Sequence, residues 1–241
     1  MIFAKDFEIG LKDVGRNNEL TNKSMMLYLE DTAGKHADGI MDGVNDRKRT
    51  KTGWLILDWK IKVIKRPKYG QTLNILTWGR KVKRCYIYRD FEVYNDDNEI
   101  CAIATSKWLL VNIETKKLVQ IPEELIQRYD PEYNTEVFKN EDLNKLKKPE
   151  DILCSSVYKV GRRDIDINNH VHNLYYLDYA YEALPEDVYK NNVFNNIRIM
   201  YKKEIKLGEK IKCEYVKEKD KHIVSIVDED DTILHAIIEL S

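Results

Sequence analysis

The chain has 241 residues, with 40 Lys and Arg against 41 Asp and Glu, a formal net charge of −1. That length can bury a sizeable core, and a hydrophobic content of 43% excludes a disordered composition. The near-zero balance excludes a chain-wide polybasic surface for nucleic acid or anionic lipid, and only 10 Gly and 5 Pro exclude collagen-like and Pro-rich architectures.

The chain opens on Phe7-Glu8-Ile9-Gly10 and then turns helical. Thr21 or Asn22 can cap that helix, and Met25, Leu29, Ala33 and His36 recur at helical spacing on one face. A Gly- and charge-rich loop follows from Asp38 to Gly53. Trp59, Ile61 and Val63 then alternate with Asp58, Lys60 and Lys62, the period of a half-buried strand. Leu73–Trp78, Cys85–Tyr94 and Ile100–Ile113 read as further strands, with Asn95-Asp96-Asp97-Asn98 as a turn between two of them. The run of Lys and Arg from Arg80 to Arg84 reads as a solvated turn, with contact to an acidic partner as the alternative. One helix followed by antiparallel strands is an α+β order, not βαβ.

Glu123–Glu150 is charged, contains Pro131 and Pro149 and has weak periodicity. It reads as a linker with a short helix at Glu141–Lys147. Beyond it the first plan returns. Ser155–Val160 is strand-like, Asn173–Leu184 is helical, and strands follow at Asn195–Lys202, Glu209–Val216, Ile223–Asp228 and Thr232–Leu240. Lys65–Leu73 aligns with Lys203–Ile211, and Trp59/Ile61/Val63 fall on Ile197/Ile199/Tyr201 in the same register. The chain therefore reads as two similar halves. The bland alternative is two unrelated hairpins sharing a turn Gly.

The segment Asp164-Ile165-Asp166-Ile167-Asn168-Asn169-His170-Val171-His172-Asn173 gathers carboxylates, amides and imidazoles just before a helix. A helix N-terminus offers unpaired N–H groups and partial positive charge suited to an oxyanion. Helix capping accounts for one Asn or Asp here. It does not account for Asp166, Asn168 and His170 alternating, which in an extended segment share a face. Glu204, taken alone, is a surface Glu among lysines in a turn-proximal strand. His36 reads as an interior histidine, Trp108 as a core aromatic, and His222 and His235 carry no functional case. Cys85, Cys101, Cys154 and Cys213 are far apart, without C-x-x-C or a Cys/His cluster. The expectation is no metal, no disulfide framework and a reducing cytoplasm. The longest stretch free of Asp, Glu, Lys and Arg, Ile167–Leu177, is too short to cross a membrane. Lys5, Asp6 and Glu8 stand where a secretory signal needs apolar residues.

Asp164 through Tyr176 resembles the signature of the acyl-acyl carrier protein (acyl-ACP) thioesterase family. So do Glu8-Ile9-Gly10, Asp13-Val14-Gly15, Asp31–Ala37, Arg66–Thr72 and Thr77-Trp78. Ala104–Trp108, Asn112–Leu118 and Ile121–Glu124 extend the likeness, which runs in order over nearly the whole chain. The resemblance implies an α+β fold of two tandem hotdog domains, each an antiparallel sheet wrapped around a central helix. Domain 1–122 would supply an acyl-chain pocket lined by Met25, Leu29, Trp54 and Trp59, residues that plain core packing also explains. A linker over 123–150 would lead to a catalytic domain at 151–241.

The family's Asp-x-Asn-x-His falls on Asp166, Asn168 and His170, and its acidic residue falls on Glu204. Ile205 stands where many members have Cys, which argues against a thiol nucleophile and for attack by water. The implied activity is release of a fatty acid from acyl-ACP in fatty acid biosynthesis. It requires no cofactor, and its partner is the acyl carrier protein rather than nucleic acid or membrane. The rival readings are an acyl-CoA thioesterase or hydratase of the same fold, and a non-catalytic acyl-binding regulator. Chain length, carrier, a homodimeric state and the division of roles between Asp166 and His170 stay open.

Overall fold

The computed structural model describes residues 1–139 and 143–241. The chain divides into two compact units, Met1–Asp142 and Leu143–Ser241. The first contains β1 (Phe3–Glu8), α1 (Asn22–Gly39), α2 (Arg47–Thr50), β2 (Thr52–Val63), β3 (Thr72–Lys83), β4 (Tyr86–Tyr94), β5 (Ile100–Asn112) and α3 (Glu123–Tyr129). Its strands pair antiparallel in the order β1-β3-β4-β5-β2.

Thr21 caps α1 through its Oγ1, which accepts from the Ser24 N–H at 3.1 Å. The expected apolar face of α1, with Met25, Leu29, Ala33 and His36, is buried, and the helix lies against β1 and β3. Trp59, Ile61 and Val63 of β2 are buried as their alternation predicts. At the β4–β5 turn, Asn95 Oδ1 accepts the Asp97 and Glu99 N–H groups at 3.1 and 2.8 Å. This is the Asx-turn chemistry expected of that segment.

Three readings change. β1 carried no strand expectation; on this edge strand Ala4, Asp6 and Glu8 are exposed, while Phe3, Lys5 and Phe7 share the half-buried face and Lys5 pairs with Asp31 of α1. β3 runs to Lys83, so Arg80 lies inside the sheet and not in a solvated turn. Its Nε is 3.3 Å from the Asp90 carboxylate, both side chains are buried, and it also pairs with Glu136. A carboxylate on the neighbouring strand makes a buried guanidinium tolerable where a lone one is not. The charged residues 123–129 are helix α3, not the start of a linker. Leu125 and Tyr129 join Ile40, Ile87, Leu110 and Ile121 in a core cluster, an i/i+4 pair hidden by the polar residues around it.

The second unit contains β6 (Cys154–Lys159), α4 (Tyr175–Glu182), α5 (Glu186–Asn191), β7 (Asn196–Tyr201), β8 (Lys210–Glu218), β9 (Lys221–Asp228) and β10 (Leu234–Leu240). Its antiparallel order is β7-β10-β9-β8-β6, with α4 against β9 and β10. Each unit therefore has the hotdog plan. Glu141 and Asp142 of the helix expected at Glu141–Lys147 lie outside the described residues, and 143–147 is irregular. That segment is nonetheless anchored. Asn144 O accepts from Arg198 at 3.1 Å, Leu146 packs on Met200, Ile223 and Ile237, and Lys148 reaches buried Glu214 at 2.9 Å.

The internal repeat extends to individual backbone hydrogen bonds. Ile9 N donates to Gln71 O, and Val160 N to Glu209 O, each at 3.0 Å. Leu20 N donates to Pro67 O, and Val171 N to Ile205 O, each at 2.8 Å. Gly70 and Gly208 adopt φ of 80° and 82° at equivalent turns, the left-handed region that glycine enters without steric cost. The alignment of Lys65–Leu73 with Lys203–Ile211 is thus a repeat of structure.

Candidate active site

The segment before α4 is not extended. It leaves a short 3-10 turn at Arg162–Asp164 and doubles back, with an isolated antiparallel bridge between Ile165 and Val171. Asn169, at φ 62°, closes the reversal by donating its N–H to Asp166 O at 3.1 Å. The alternation argument for Asp166, Asn168 and His170 therefore fails, because a left-handed residue breaks the strand period. The three residues come together by another route. Asp166 Oδ1 accepts the Asn168 N–H at 2.8 Å and the His170 N–H at 3.3 Å. Its Oδ2 accepts Asn168 Nδ2 at 2.9 Å. Asp166 is the organiser of the turn and fixes the direction of the Asn168 amide.

The turn is braced from below. Asp164 is buried, and its Oδ2 accepts the Gly161 N–H and the Tyr179 hydroxyl, both at 2.9 Å. Asp164, read from the sequence as one more polar residue of the motif, is a clamp between the turn and α4. The helix itself begins at Tyr175, two residues later than expected, without a side-chain cap. The Leu174 N–H ahead of it already donates to His172 Nδ1 at 3.3 Å.

Glu204 is not in a strand. β7 ends at Tyr201, and Glu204 lies exposed in the connection to β8. The cause is local: Lys202 N bonds back to His235 O at 2.8 Å, after which the chain leaves the ladder. That connection lies beside the polar turn, because His170 bridges Lys206 and Val171 N donates to Ile205 O. Tyr176 ties α4 to the same place, its hydroxyl donating to Lys203 O at 3.4 Å. Burial, with Glu204, Glu209 and Asp166 near, pushes the Tyr176 phenol far above its ordinary range, so it stays a neutral donor. Tyr176 is a positioning residue that the sequence left inside an apolar helix face. Glu204 opens on a cleft of about 450 Å³ that Lys203, Lys206, Asp228 and His235 also line. Ile205, where many family members have Cys, is wholly buried. Buried Cys213 has its thiol pushed up to about 12 by burial and by Glu214.

The first unit keeps the frame of this site without its chemistry. Gly10 N donates to Asp13 Oδ2 at 3.0 Å, as Gly161 does to Asp164. Gly15 N bonds Glu19 O, and Asp166 N bonds His170 O, at 2.9 and 2.8 Å. Glu19 thus occupies the place of His170 and Arg66 that of Glu204. Arg66 staples the start of α1, donating to Leu20 O and Asn22 Oδ1, each at 2.9 Å. The repeated Gly-x-x-Asp at 10–13 and 161–164 was the sequence signal for this correspondence.

The four residues read as pocket-lining do not form one group. Met25, Leu29 and Trp59 are fully buried, and Trp59 sits against Phe91 and Trp108 with ring centroids at 5.3 and 6.3 Å. Trp54 instead packs on the Ile40/Leu125/Tyr129 cluster and donates its indole N–H to Asp42 at 2.7 Å. No cluster of three or more His, Cys, Asp or Glu poised to hold a metal ion occurs among the described residues.

Residues 1–129 match the Acyl-ACP thioesterase N-terminal domain, and residues 147–239 match the Acyl-ACP thioesterase C-terminal domain. The chain belongs to the acyl-ACP thioesterase family. Among its relatives, the chloroplastic acyl-acyl-carrier-protein hydrolase of Cuphea viscosissima is 25% identical over 217 residues, covering 85% of this chain and 52% of that protein. Oleoyl-acyl carrier protein thioesterase 1 of Arabidopsis thaliana is 24% identical, covering 84% of this chain and 60% of that protein. The chain thus spans little more than half the length of these plant acyl-ACP thioesterases. An acyl-ACP thioesterase from Bacteroides thetaiotaomicron superposes with a TM-score of 0.88 at 20% identity, over 99% of this chain and 96% of that one. The 12:0-ACP thioesterase from Umbellularia californica superposes at 0.87 and 20% identity, over 100% and 96% of the two chains. Within the acyl-ACP thioesterase family, this fold is therefore shared along the whole chain.

Proposed function

We propose that this protein is a thioesterase that hydrolyses fatty acyl-ACP to free fatty acid and carrier protein. The observation that carries the reading is the turn in which Asp166 fixes Asn168 and the His170 backbone beside the Glu204 connection. It lies in the half that matches the family's C-terminal domain.

In the proposed reaction, Asn168 and His170 donate hydrogen bonds to the thioester carbonyl as it becomes an oxyanion. Glu204 orients a water molecule and takes its proton as the oxygen attacks the carbonyl carbon. The tetrahedral intermediate collapses, the C–S bond breaks, and the proton passes to the leaving thiolate. Water, acid and base balance this reaction without a cofactor. Ile205 and the raised pKa of Cys213 support water over a thiol as nucleophile. In this reading Met25, Leu29 and Trp59 supply the apolar wall for the acyl chain. Trp54, held by Asp42, braces that half instead. We place the reaction in fatty acid biosynthesis, in a reducing cytoplasm; free Cys85, Cys101, Cys154 and Cys213 fit that compartment.

The test is a hydrolysis assay on panels of acyl-ACP and acyl-CoA, read by thiol release. The expected result is turnover with kcat/KM highest on acyl-ACP. Absence of turnover on every thioester would overturn the enzyme assignment, and a preference for acyl-CoA would overturn the carrier. Replacing all four Cys with Ala should leave turnover largely intact; its loss in a folded variant would overturn attack by water.

A further inference from the structure

Two large apolar side chains stand out in solvent next to the polar turn. Ile167, at its tip, is 73% exposed, and Leu207 is 53% exposed. The antiparallel bridge of His170 to Lys206 sets Leu207 opposite Asn169, one residue along each strand. Ile167 and Leu207 therefore border the turn from its tip and its side.

The surrounding charges are unequal. Arg162, Lys203 and Lys206 are exposed and make no ion pair among the described residues. Arg163, with its side chain 91% exposed, lies 3.4 Å from the carboxylate of buried Asp164. Most nearby carboxylates are already engaged. Glu209 accepts the Lys206 N–H at 2.9 Å, Asp228 holds Thr232 and Ile233, and Glu229 pairs with Lys210 at 2.9 Å. Glu204 and Asp230 remain. The first unit carries a different set there: Arg16 stands in the place of Ile167, Leu11 in that of Arg162 and Tyr69 in that of Leu207, and Lys65, the counterpart of Lys203, is paired with Glu99.

We infer that Ile167 and Leu207, ringed by Arg162, Lys203 and Lys206, form the docking surface for the carrier protein, engaging an acidic face that presents an apolar side chain. The inference rests on the proposed acyl-ACP activity. The physical case is complementarity. Unpaired cations steer an acidic partner and raise its association rate, while an exposed apolar pair gives the short-range contact that holds it. Docking at the rim places the tethered thioester next to Asn168 and Glu204.

The experiment compares acyl-ACP with the same acyl group on pantetheine, a thioester without the protein. Arg162→Glu and Leu207→Glu are assayed with wild type and with Lys217→Glu, an exposed charge change elsewhere. The expected result is a loss of about tenfold or more in kcat/KM on acyl-ACP, carried by KM, with acyl-pantetheine unchanged and Lys217→Glu at wild-type values. Wild-type kcat/KM on acyl-ACP alone should fall with added salt, and Arg162→Lys should retain activity. Equal losses on both substrates, or none on acyl-ACP, would overturn the docking surface. Wild type hydrolysing acyl-pantetheine as well as acyl-ACP would overturn the carrier reading itself.

Discussion

Asp166 is the residue on which the others depend, because it accepts three hydrogen bonds within a five-residue turn. Asp166→Ala frees the Asn168 amide, so kcat should fall nearly as far as in Asn168→Ala. One lost oxyanion donor costs on the order of 10²–10³ in kcat. Steady-state kinetics with circular dichroism checks this; wild-type kcat in Asp166→Ala would remove its positioning role. His36 makes a different residue-scale prediction. It is buried at 1% exposure, and its Nδ1 lies 3.0 Å from Arg89 Nη1. Burial first, then the Arg89 charge, lowers its pKa from 6.5 to about 3. Arginine remains protonated, so folded His36 stays neutral while the unfolded chain takes up a proton below its ordinary pKa. Stability is then fully present above about pH 6.5 and declines as pH falls towards 3. The slope from this group reaches about 1.4 kcal/mol per pH unit. Urea unfolding of wild type and His36→Gln between pH 7 and 5 should show a shallower decline in the variant. Parallel pH dependences would assign the acid loss to other groups.

At the scale of elements, charged residues that look solvent-facing in the sequence hold segments to sheets. Asp164 clamps the polar turn to α4 through Gly161 and Tyr179. Hydrogen bonds to a charged group are worth roughly 1.5–3 kcal/mol each, and removing one partner leaves the other buried and unsatisfied. Asp164→Ala should therefore destabilise the protein by about 2–4 kcal/mol and lower kcat as well. Tyr179→Phe, which keeps the Gly161 bond, should cost less. Chemical denaturation ranks the two, and the reverse order would place the anchor elsewhere. In the first unit, Asp90 joins three elements: Arg80 on β3, Thr105 on β5 at 2.6 Å, and the Val137 N–H at 3.1 Å. Asp90→Ala leaves Arg80 buried with Glu136 alone, a loss of roughly 3–5 kcal/mol for a broken buried pair. Amide exchange should rise around Val137 before it rises in β4; uniform protection across both would contradict the clamp.

Across the molecule, the two units share one frame and differ in the residues it carries. Both units keep Gly-x-x-Asp, the reversal and the Gly turn, yet the second has His170 and Glu204 where the first has Glu19 and Arg66. Arg66 is spent on Leu20 and Asn22, so the first unit's copy is a staple for α1. The proposed division of labour makes a whole-molecule prediction. Glu204→Gln should depress kcat for every acyl length equally. Leu29→Ala, which removes fully buried volume, should shift the kcat/KM ratio towards longer chains while costing about 2–5 kcal/mol of stability. Kinetics on a chain-length series checks both; a uniform effect of Leu29→Ala would leave that side chain a packing role only.

Local pattern carried much of this into the sequence. The capped helix with Met25, Leu29, Ala33 and His36, the alternation at Trp59, Ile61 and Val63, and the two-half plan all follow from periodicities of a few residues. The resemblance to a family supplied the hotdog fold and pointed to Asp166, Asn168, His170 and Glu204. What the sequence did not reveal depends on contacts made across long separations. Leu125 and Tyr129 lie in a charged stretch and become core only because Ile40, Ile87 and Leu110 meet them there. Arg80 reads as solvated until β4 brings Asp90 beside it. The polar residues converge by a left-handed Asn169 and an Asp166-centred turn, not by strand alternation. The connection holding Glu204 reaches them through the bridge to Lys206 and the hydrogen bond from Val171 to Ile205. Short-range periodicity determines which face of an element is apolar; only the folded chain determines which distant charges and turns that face brings together.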